Sequence, residues 1–214
     1  MKIQSARHVG CATDLESCPQ SHHPEFAFVG RSNVGKSSLI NTLADVKGLA
    51  KISSTPGKTK LIHFFRINDL WTLVDLPGYG FAKLSKERQA EFNRSVSQFL
   101  NERTNIKQVF ALIDSQLEPL ETDLAFVDWL QECKIPFSII LTKTDRSAEY
   151  KVAKHEEKLI QALLDYGLRP TEIFKFSSKT KRGRGALLNW IEGQLPKDQK
   201  KKKGKAIQLG WMQK

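Results

Sequence analysis

Three observations predict an α/β fold: a doubly wound, mainly parallel six-stranded sheet with one antiparallel strand and helices on both faces. Apolar, β-rich runs alternate with stretches whose apolar residues recur at helical spacing, the pattern of strands crossed over by helices. A glycine-containing loop separates the first clear strand from the first clear helix. Two β-rich runs, Leu61 to Ile67 and Leu70 to Asp75, are parted only by Asn68-Asp69. That spacing reads as a two-residue hairpin and supplies the antiparallel strand.

Each element follows in order. Residues 1–24 read as an edge strand and then a loop through Pro19 and Pro24. Phe26 to Val29 is a buried strand, and Leu39, Ile40, Leu43 and Val46 pattern the helix behind the glycine loop. Lys47 to Lys60 is a polar loop, and the hairpin follows it. Phe92, Val96, Phe99 and Leu100 mark an amphipathic helix from Lys86 to Arg103. Val109 to Ile113 is a strand, and Leu124, Val127 and Leu130 belong to the next helix. Phe137 to Leu141 is a strand; Val152, Leu159, Ile160, Leu163 and Leu164 pattern a helix that Gly167 ends. Ile173 to Phe176 is the last strand, before a helix on Leu187, Trp190, Ile191 and Leu195. In such a sheet the site lies at the carboxyl ends of the strands.

Bulk properties narrow the class. With 214 residues, 40% hydrophobic and 27% charged, the chain has globular composition and room for one domain with tails. No apolar run approaches the roughly 20 residues of a membrane span. The first residues lack the apolar core of a signal peptide, so a cytoplasmic protein without a membrane partner is expected. Cys11, Cys18 and Cys133 make an odd set with no C-x-x-C pair, against a disulfide framework. Zinc on Cys11, Cys18, His22 and His23 is disfavoured by the wide cysteine gap and adjacent histidines. Net charge is +11, and seven lysines against one aspartate from Lys197 to Lys214 carry +6 of it. The expected division is an N-terminal extension over 1–23, a domain over 24–196 and a basic tail over 197–214. Such a tail suits an anionic partner, RNA foremost, or serves solubility alone.

The chemistry is carried by motifs at three strand ends. Gly30, Arg31, Ser32, Asn33, Val34, Gly35, Lys36 and Ser37 fit G-x-x-x-x-G-K-[ST] between strand and helix, which makes this a P-loop NTPase. Its glycines let the backbone N–H groups turn inward toward a phosphate, with the helix dipole behind them. Lys36 reaches the β- and γ-phosphates, and the Ser37 hydroxyl ligates Mg²⁺. Asp75, Leu76, Pro77 and Gly78 form the second motif; Asp75 holds a water on Mg²⁺ and the Gly78 N–H donates to the γ-phosphate. Thr142, Lys143, Thr144 and Asp145 choose the base. Guanine presents two donors on one edge and a fixed carboxylate accepts both, whereas adenine would face it with a lone pair. The Lys143 stem lies over the base plane, and Ser177 and Ser178, just after Phe176, offer backbone N–H groups to guanine O6. The loop from Ser53 to Thr59 suits a segment ordered by the γ-phosphate. Thr59 is its candidate Mg²⁺ ligand, with Thr55 behind it and Gly57, Lys58, Lys60 and Leu61 as further nucleotide contacts. Lys36, Thr59 and Gly78 are the candidate catalytic residues.

The series GRSNVGKSSLIN, TPGKT, DLPGYG, TKTD and SSK resembles the EngB family (also called YihA or YsxC) of Era-like bacterial GTPases, from about Pro24 to Leu195. The resemblance implies GTP and GDP binding and slow hydrolysis, with Mg²⁺ held by Ser37 and Thr59. It also implies a role in assembling the large ribosomal subunit, and a requirement in normal cell division and septation. A monomer is expected. One place departs from Ras-like GTPases: the glutamine that follows D-x-x-G there and orients water is Tyr79 here. Related GTPases with asparagine at the Asn33 place use K⁺ near the β/γ-phosphates; the alternative is that Asn33 only tightens the loop. Arg31 as an internal arginine finger would have to bend back, and solvation at the surface is the expectation. Two rival readings are a P-loop ATPase or kinase, which the carboxylate of Asp145 opposes, and an RNA-binding module with a vestigial nucleotide site. Intact Lys36, Ser37, Asp75 and Asp145 argue against the second.

Overall fold

Glu25–Gly30, the strand ahead of the glycine loop, is buried at every residue. A continuous apolar run is what a position flanked on both sides and covered on both faces requires. It is β2 in a computed structural model that describes residues 1–50, 61–79 and 86–196. The elements run β1 (Ala6–Ala12), β2, α1 (Lys36–Ala44), β3 (Ile62–Ile67), β4 (Trp71–Asp75), α2 (Lys86–Glu102), β5 (Ile106–Asp114), α3 (Glu121–Glu132), β6 (Phe137–Thr142), α4 (Glu149–Asp165), β7 (Ile173–Lys175) and α5 (Arg184–Gln194). They form one seven-stranded sheet in the order β1-β3-β4-β2-β5-β6-β7. β3 runs antiparallel to both of its neighbours, β1 and β4, and the other pairs are parallel. The expected six strands are joined by the N-terminal edge strand β1.

The hairpin turns as its sequence demands. Asn68 and Asp69 both have positive φ, 51° and 50°, the left-handed pair a tight two-residue turn needs. The same residues fasten the N-terminus: Gln4 and Ser5 N–H donate to Asn68 Oδ1 at 2.6 and 3.1 Å, and Arg7 pairs with Asp69 at 2.9 Å. Thus β1 takes its place from polar contacts with the turn and from pairing with β3.

Both faces of the sheet are covered. Phe99 of α2, Val127 of α3 and Leu163 of α4 pack on one side. Leu39 and Leu43 of α1 pack with Leu187 and Ile191 of α5 on the other. Two details correct the sequence reading. Helix α1 stops at Ala44, where Asp45 turns left-handed at φ 57°, so Val46 lies beyond it and is 36% exposed. On α4, Val152, Leu159 and Leu163 face inward, while Ile160 and Leu164 are 42% and 68% exposed. One residue is about 100° of helix, enough to carry a neighbouring leucine out of the core.

A buried ion pair ties the N-terminal loop to the middle of the sheet. Arg103 donates to both oxygens of the fully buried Glu25, at 3.0 and 2.8 Å, and to the Pro19 carbonyl at 2.7 Å. Strand order reverses at β2, with β4 on one side and β5 on the other. That reversal opens a crevice above the carboxyl ends of the strands, where the loops after β2, β4, β6 and β7 meet.

Candidate functional site

The phosphate loop crosses from β2 to α1, and its two glycines are there for different reasons. A Cβ on Gly30 would lie 2.9 Å from Leu112 Cβ and 3.0 Å from Val34 Cγ1, so Gly30 answers to space. Gly35 has φ 103° and only Lys143 Cε within reach, at 3.8 Å, so Gly35 answers to conformation. Asn33 is exposed and also left-handed, φ 64°, which suits the loop-tightening role. The Val34 carbonyl accepts from Thr142 Oγ at 2.7 Å, so the phosphate loop is hung from the end of β6. No side chain caps the first turn of α1, where backbone N–H groups face the crevice with the dipole's positive end.

Lys36 donates to the carboxylate of Asp75, which is only 4% exposed at the end of β4. The half-buried Ser37 follows on the same turn of α1. Gly78 is pressed against the phosphate loop: a Cβ there would stand 2.6 Å from the Gly30 carbonyl oxygen. The Tyr79 N–H donates to that same carbonyl at 3.3 Å.

The base side is built on β6 and β7. Asp145 Oδ1 accepts from Ser177 Oγ at 2.6 Å, and Ser177 Oγ accepts from Thr180 N–H at 3.1 Å. Ser177 N–H is itself spent on the Arg182 carbonyl at 3.1 Å. Of the two amides expected to face guanine, Ser177 therefore orients the carboxylate instead, and the Ser178 amide is left as the candidate donor. Lys143 stands at φ 57°, a left-handed conformation rare for a side-chain-bearing residue. Its stem passes Gly35, and its ammonium pairs with Asp114 at 2.6 Å. A cavity of about 510 Å³ is lined by Gly35 of the phosphate loop, Ser38 and Thr42 on α1, Lys143 and Asp145 after β6, and Ser178 after β7.

Three further residues steady this edge, and two of them, Asp114 and Asp123, lie outside the motifs. Asp114 ends β5 and steadies Lys143. Asn41 holds the loop beyond α1, exchanging bonds of 2.9 and 2.7 Å with the Ala50 backbone. Asp123, in the first turn of α3, is 1% exposed and accepts from Arg31 Nε at 3.2 Å and from the Tyr79 hydroxyl at 2.9 Å. Arg31 is therefore not left free at the surface: the buried carboxylate recruits it, and its side chain is only 24% exposed. Burial raises the Asp123 carboxyl above its ordinary value although Arg31 pulls the other way. Burial, then the Asp123 charge, pushes the Tyr79 hydroxyl well above its own. Of the two residues outside the motifs, only Asp114, closing a strand at the site edge, carried a positional signal in the sequence. Gly57, Lys58, Thr59, Lys60 and the rest of the Ser53–Thr59 loop lie outside the described residues, as does the basic tail. Leu61 is half-buried just before β3. Among the described residues no helix is long and apolar enough to cross a membrane.

Phosphate loop, D-x-x-G and T-K-x-D, in that order on this sheet, define a P-loop GTPase. Residues 25–143 match the family described as 50S ribosome-binding GTPase. A relative from Phocaeicola vulgatus, a probable GTP-binding protein EngB, is 46% identical over 192 residues, covering 90% of this chain and 96% of its own. Another from Christiangramia forsetii is 44% identical, covering 90% and 98%. The chain belongs to the EngB family of GTPases. A crystal structure of a probable GTP-binding protein EngB superposes with a TM-score of 0.65 at 24% identity, over 79% of this chain and 97% of that one. Era, in complex with MgGDPNP and a segment of 16S ribosomal RNA, gives 0.63 at 20% identity over 81% and 57%. These two likenesses speak for the fold.

Proposed function

We propose that this GTPase binds GTP and GDP at the crevice, hydrolyses GTP slowly with Mg²⁺, and acts as a switch in assembling the large ribosomal subunit. The observation that carries the nucleotide reading is one cavity lined both by Gly35 of the phosphate loop and by Asp145. Asp145, turned by Ser177, accepts the two donors of guanine, and an adenine would oppose it. Backbone N–H groups of Asn33 to Ser37 and the Lys36 ammonium hold the phosphates.

The oxygen donors fit a hard divalent ion: the Ser37 hydroxyl, the Asp75 carboxylate that already attracts a cation in Lys36, and Thr59. When bound, Mg²⁺ neutralises charge on the β- and γ-phosphate oxygens. Ser37 and Thr59 would hold it directly and Asp75 through water, while Gly78 N–H donates to the γ-phosphate. Tyr79 cannot orient the attacking water while its hydroxyl serves Asp123. Hydrolysis then draws on positioning, Mg²⁺ and the phosphate loop, or on a group supplied from outside, which accords with slow turnover. Stimulation by K⁺ over Na⁺ would add Asn33 to the ligand set.

The cellular part of the proposal, ribosome assembly in the cytoplasm by a monomer with an accompanying need in division and septation, is supported by family membership and by the basic tail. Two experiments test it. GTP, GDP and ATP competing for one labelled guanine nucleotide test the base; equal displacement by ATP overturns it. Sedimentation with ribosomal subunits, with GTP analogue, with GDP or with neither, tests the partner; co-sedimentation unaffected by nucleotide overturns the switch.

A further inference from the structure

Resting on the reading of the crevice as a GTP site, we propose that Asp123 is a positioning residue: a latch on α3 that holds Gly78 in place for the γ-phosphate.

Three segments distant in sequence converge on this one carboxylate. Arg31 comes from the phosphate loop, Tyr79 from the residue after D-x-x-G, and Asp123 from the first turn of α3. The contacts between the first two are close. Arg31 and Tyr79 form a parallel β-bridge, and Gly78 has no room for a Cβ against Gly30. Tyr79 is fixed from three directions: its N–H on the Gly30 carbonyl, its hydroxyl on Asp123, and its ring stacked on Phe126 at 4.6 Å and 24°. A residue so held determines where the preceding peptide points, and that peptide carries the Gly78 N–H.

The carboxylate is an expensive way to satisfy packing alone. It is buried at 1% exposure, and its Oδ2 has no hydrogen-bond partner among the described residues. Both donors crowd onto Oδ1. Replacing a buried ion pair by apolar side chains of similar volume is often neutral or stabilising, so packing alone does not account for the charge here. The empty oxygen also supplies a second acceptor. Tyr79 or Arg31 can shift onto it without losing the charge, which lets the segment after β4 adjust while staying latched.

The consequence is selective. GDP lacks the only group that Gly78 N–H would contact, so loosening the latch touches GTP affinity and spares GDP. By reciprocity the γ-phosphate tightens the Tyr79–Asp123 contact, so α3 feels which nucleotide is bound.

The test measures equilibrium binding of GDP and of a non-hydrolysable GTP analogue, with single-turnover hydrolysis, for wild type, Asp123→Asn and Tyr79→Phe. Tyr79→Phe keeps the ring on Phe126 and removes only the hydroxyl, so it decides the matter if Asp123→Asn folds poorly. Analogue affinity should fall about tenfold, the scale of one lost hydrogen bond to a charged group, and single-turnover rate should fall with it. GDP affinity should stay within about twofold of wild type. An unmoved ratio of the two affinities in both folded variants overturns the latch. Wild type that binds neither nucleotide overturns the functional reading beneath it, a separate and recognisable result.

Discussion

Lys36 and Asp75 are paired with each other across the carboxyl ends of β2 and β4. Both are nearly buried, their side chains 12% and 6% exposed, so the pair is a strong local contact. On the proposed reading, nucleotide and metal would draw the two apart, the ammonium toward phosphate and the carboxylate toward hydrated Mg²⁺. The pair keeps two opposite charges compensated at the crevice. Lys36→Ala should weaken GDP and GTP binding by about tenfold or more, from lost charge-assisted bonds. Asp75→Asn should largely spare GDP and reduce the Mg²⁺ dependence of GTP-analogue binding. Titrations of each nucleotide with and without Mg²⁺ check this; a Lys36→Ala protein with parental affinity overturns the phosphate assignment.

The base pocket makes a graded prediction. Asp145→Asn should lose guanine nucleotides and gain xanthosine nucleotides, because the amide now offers a donor to the 2-oxo group. Ser177→Ala leaves the carboxylate in place but removes the 2.6 Å bond that turns it. That variant should weaken GTP by roughly 1 kcal/mol, the usual worth of one hydrogen bond, without changing the base preferred. Competition with GTP and XTP reads both; unchanged guanine preference in Asp145→Asn would remove Asp145 from the pocket.

The order of elements and the motif loops were legible in the sequence because each follows from local rules: periodicity, turn residues and glycine spacing. The Asn68-Asp69 hairpin and the Gly30–Ser37 loop are such cases. What was not legible depends on partners far along the chain. Arg31 looks solvated until α3 brings Asp123 to it, 92 residues away. Ser177 is a local exception: it looks like an amide donor until the turn after β7 brings back the Arg182 carbonyl, five residues on, to claim the amide. The place of β1 was obscure because the bonds to Asn68 that fix it come from more than 60 residues downstream. Val46, Ile160 and Leu164 looked like core because apolar identity does not say where a helix stops or how wide its buried stripe is.

Stability rests visibly on the Arg103–Glu25 pair. Arg103→Leu leaves a fully buried carboxylate without its partner and should cost about 3–5 kcal/mol in chemical denaturation. Arg103→Leu combined with Glu25→Gln removes both charges and should recover a good part of that loss. If the double variant is no more stable than the single, the pair is not the source of the penalty.

The cysteines should react unequally. Burial raises the Cys18 thiol to about 11, with Arg103 opposing the shift, while Cys11 is exposed. Cys11 should therefore alkylate readily at pH 8 and Cys18 only after unfolding. The sign for stability follows from linkage. Above about 9 the unfolded Cys18 loses its proton while the folded one keeps it, so Cys18 lowers stability as pH rises from about 9 to about 11. Cys18→Ala should flatten that part of the pH profile in comparison with wild type. Equal labelling of Cys11 and Cys18 in the native protein would contradict the buried placement.

The tail gives the test of the ribosomal partner. Residues 197–214 carry +6 and follow α5, the last helix among the described residues, which ends at Gln194 with Leu195 packed in the core. Truncation after Pro196 removes no buried residue of the described domain, so GTP binding and melting temperature should barely change. Association with ribosomal subunits or RNA should weaken, because fewer counterions are released per complex. The diagnostic is the slope of log affinity against log salt. Each lysine that neutralises an RNA phosphate adds about 0.7 to 0.9 to that slope, so loss of four such contacts should flatten it by about 3. Replacing Lys200, Lys201, Lys202 and Lys203 with alanine should reproduce most of the change, since the charge is densest there. Binding measured at several salt concentrations for intact, truncated and alanine-substituted protein decides the matter. Identical slopes would make the tail a solubilising appendage, and the RNA contact would then have to be sought on the domain itself.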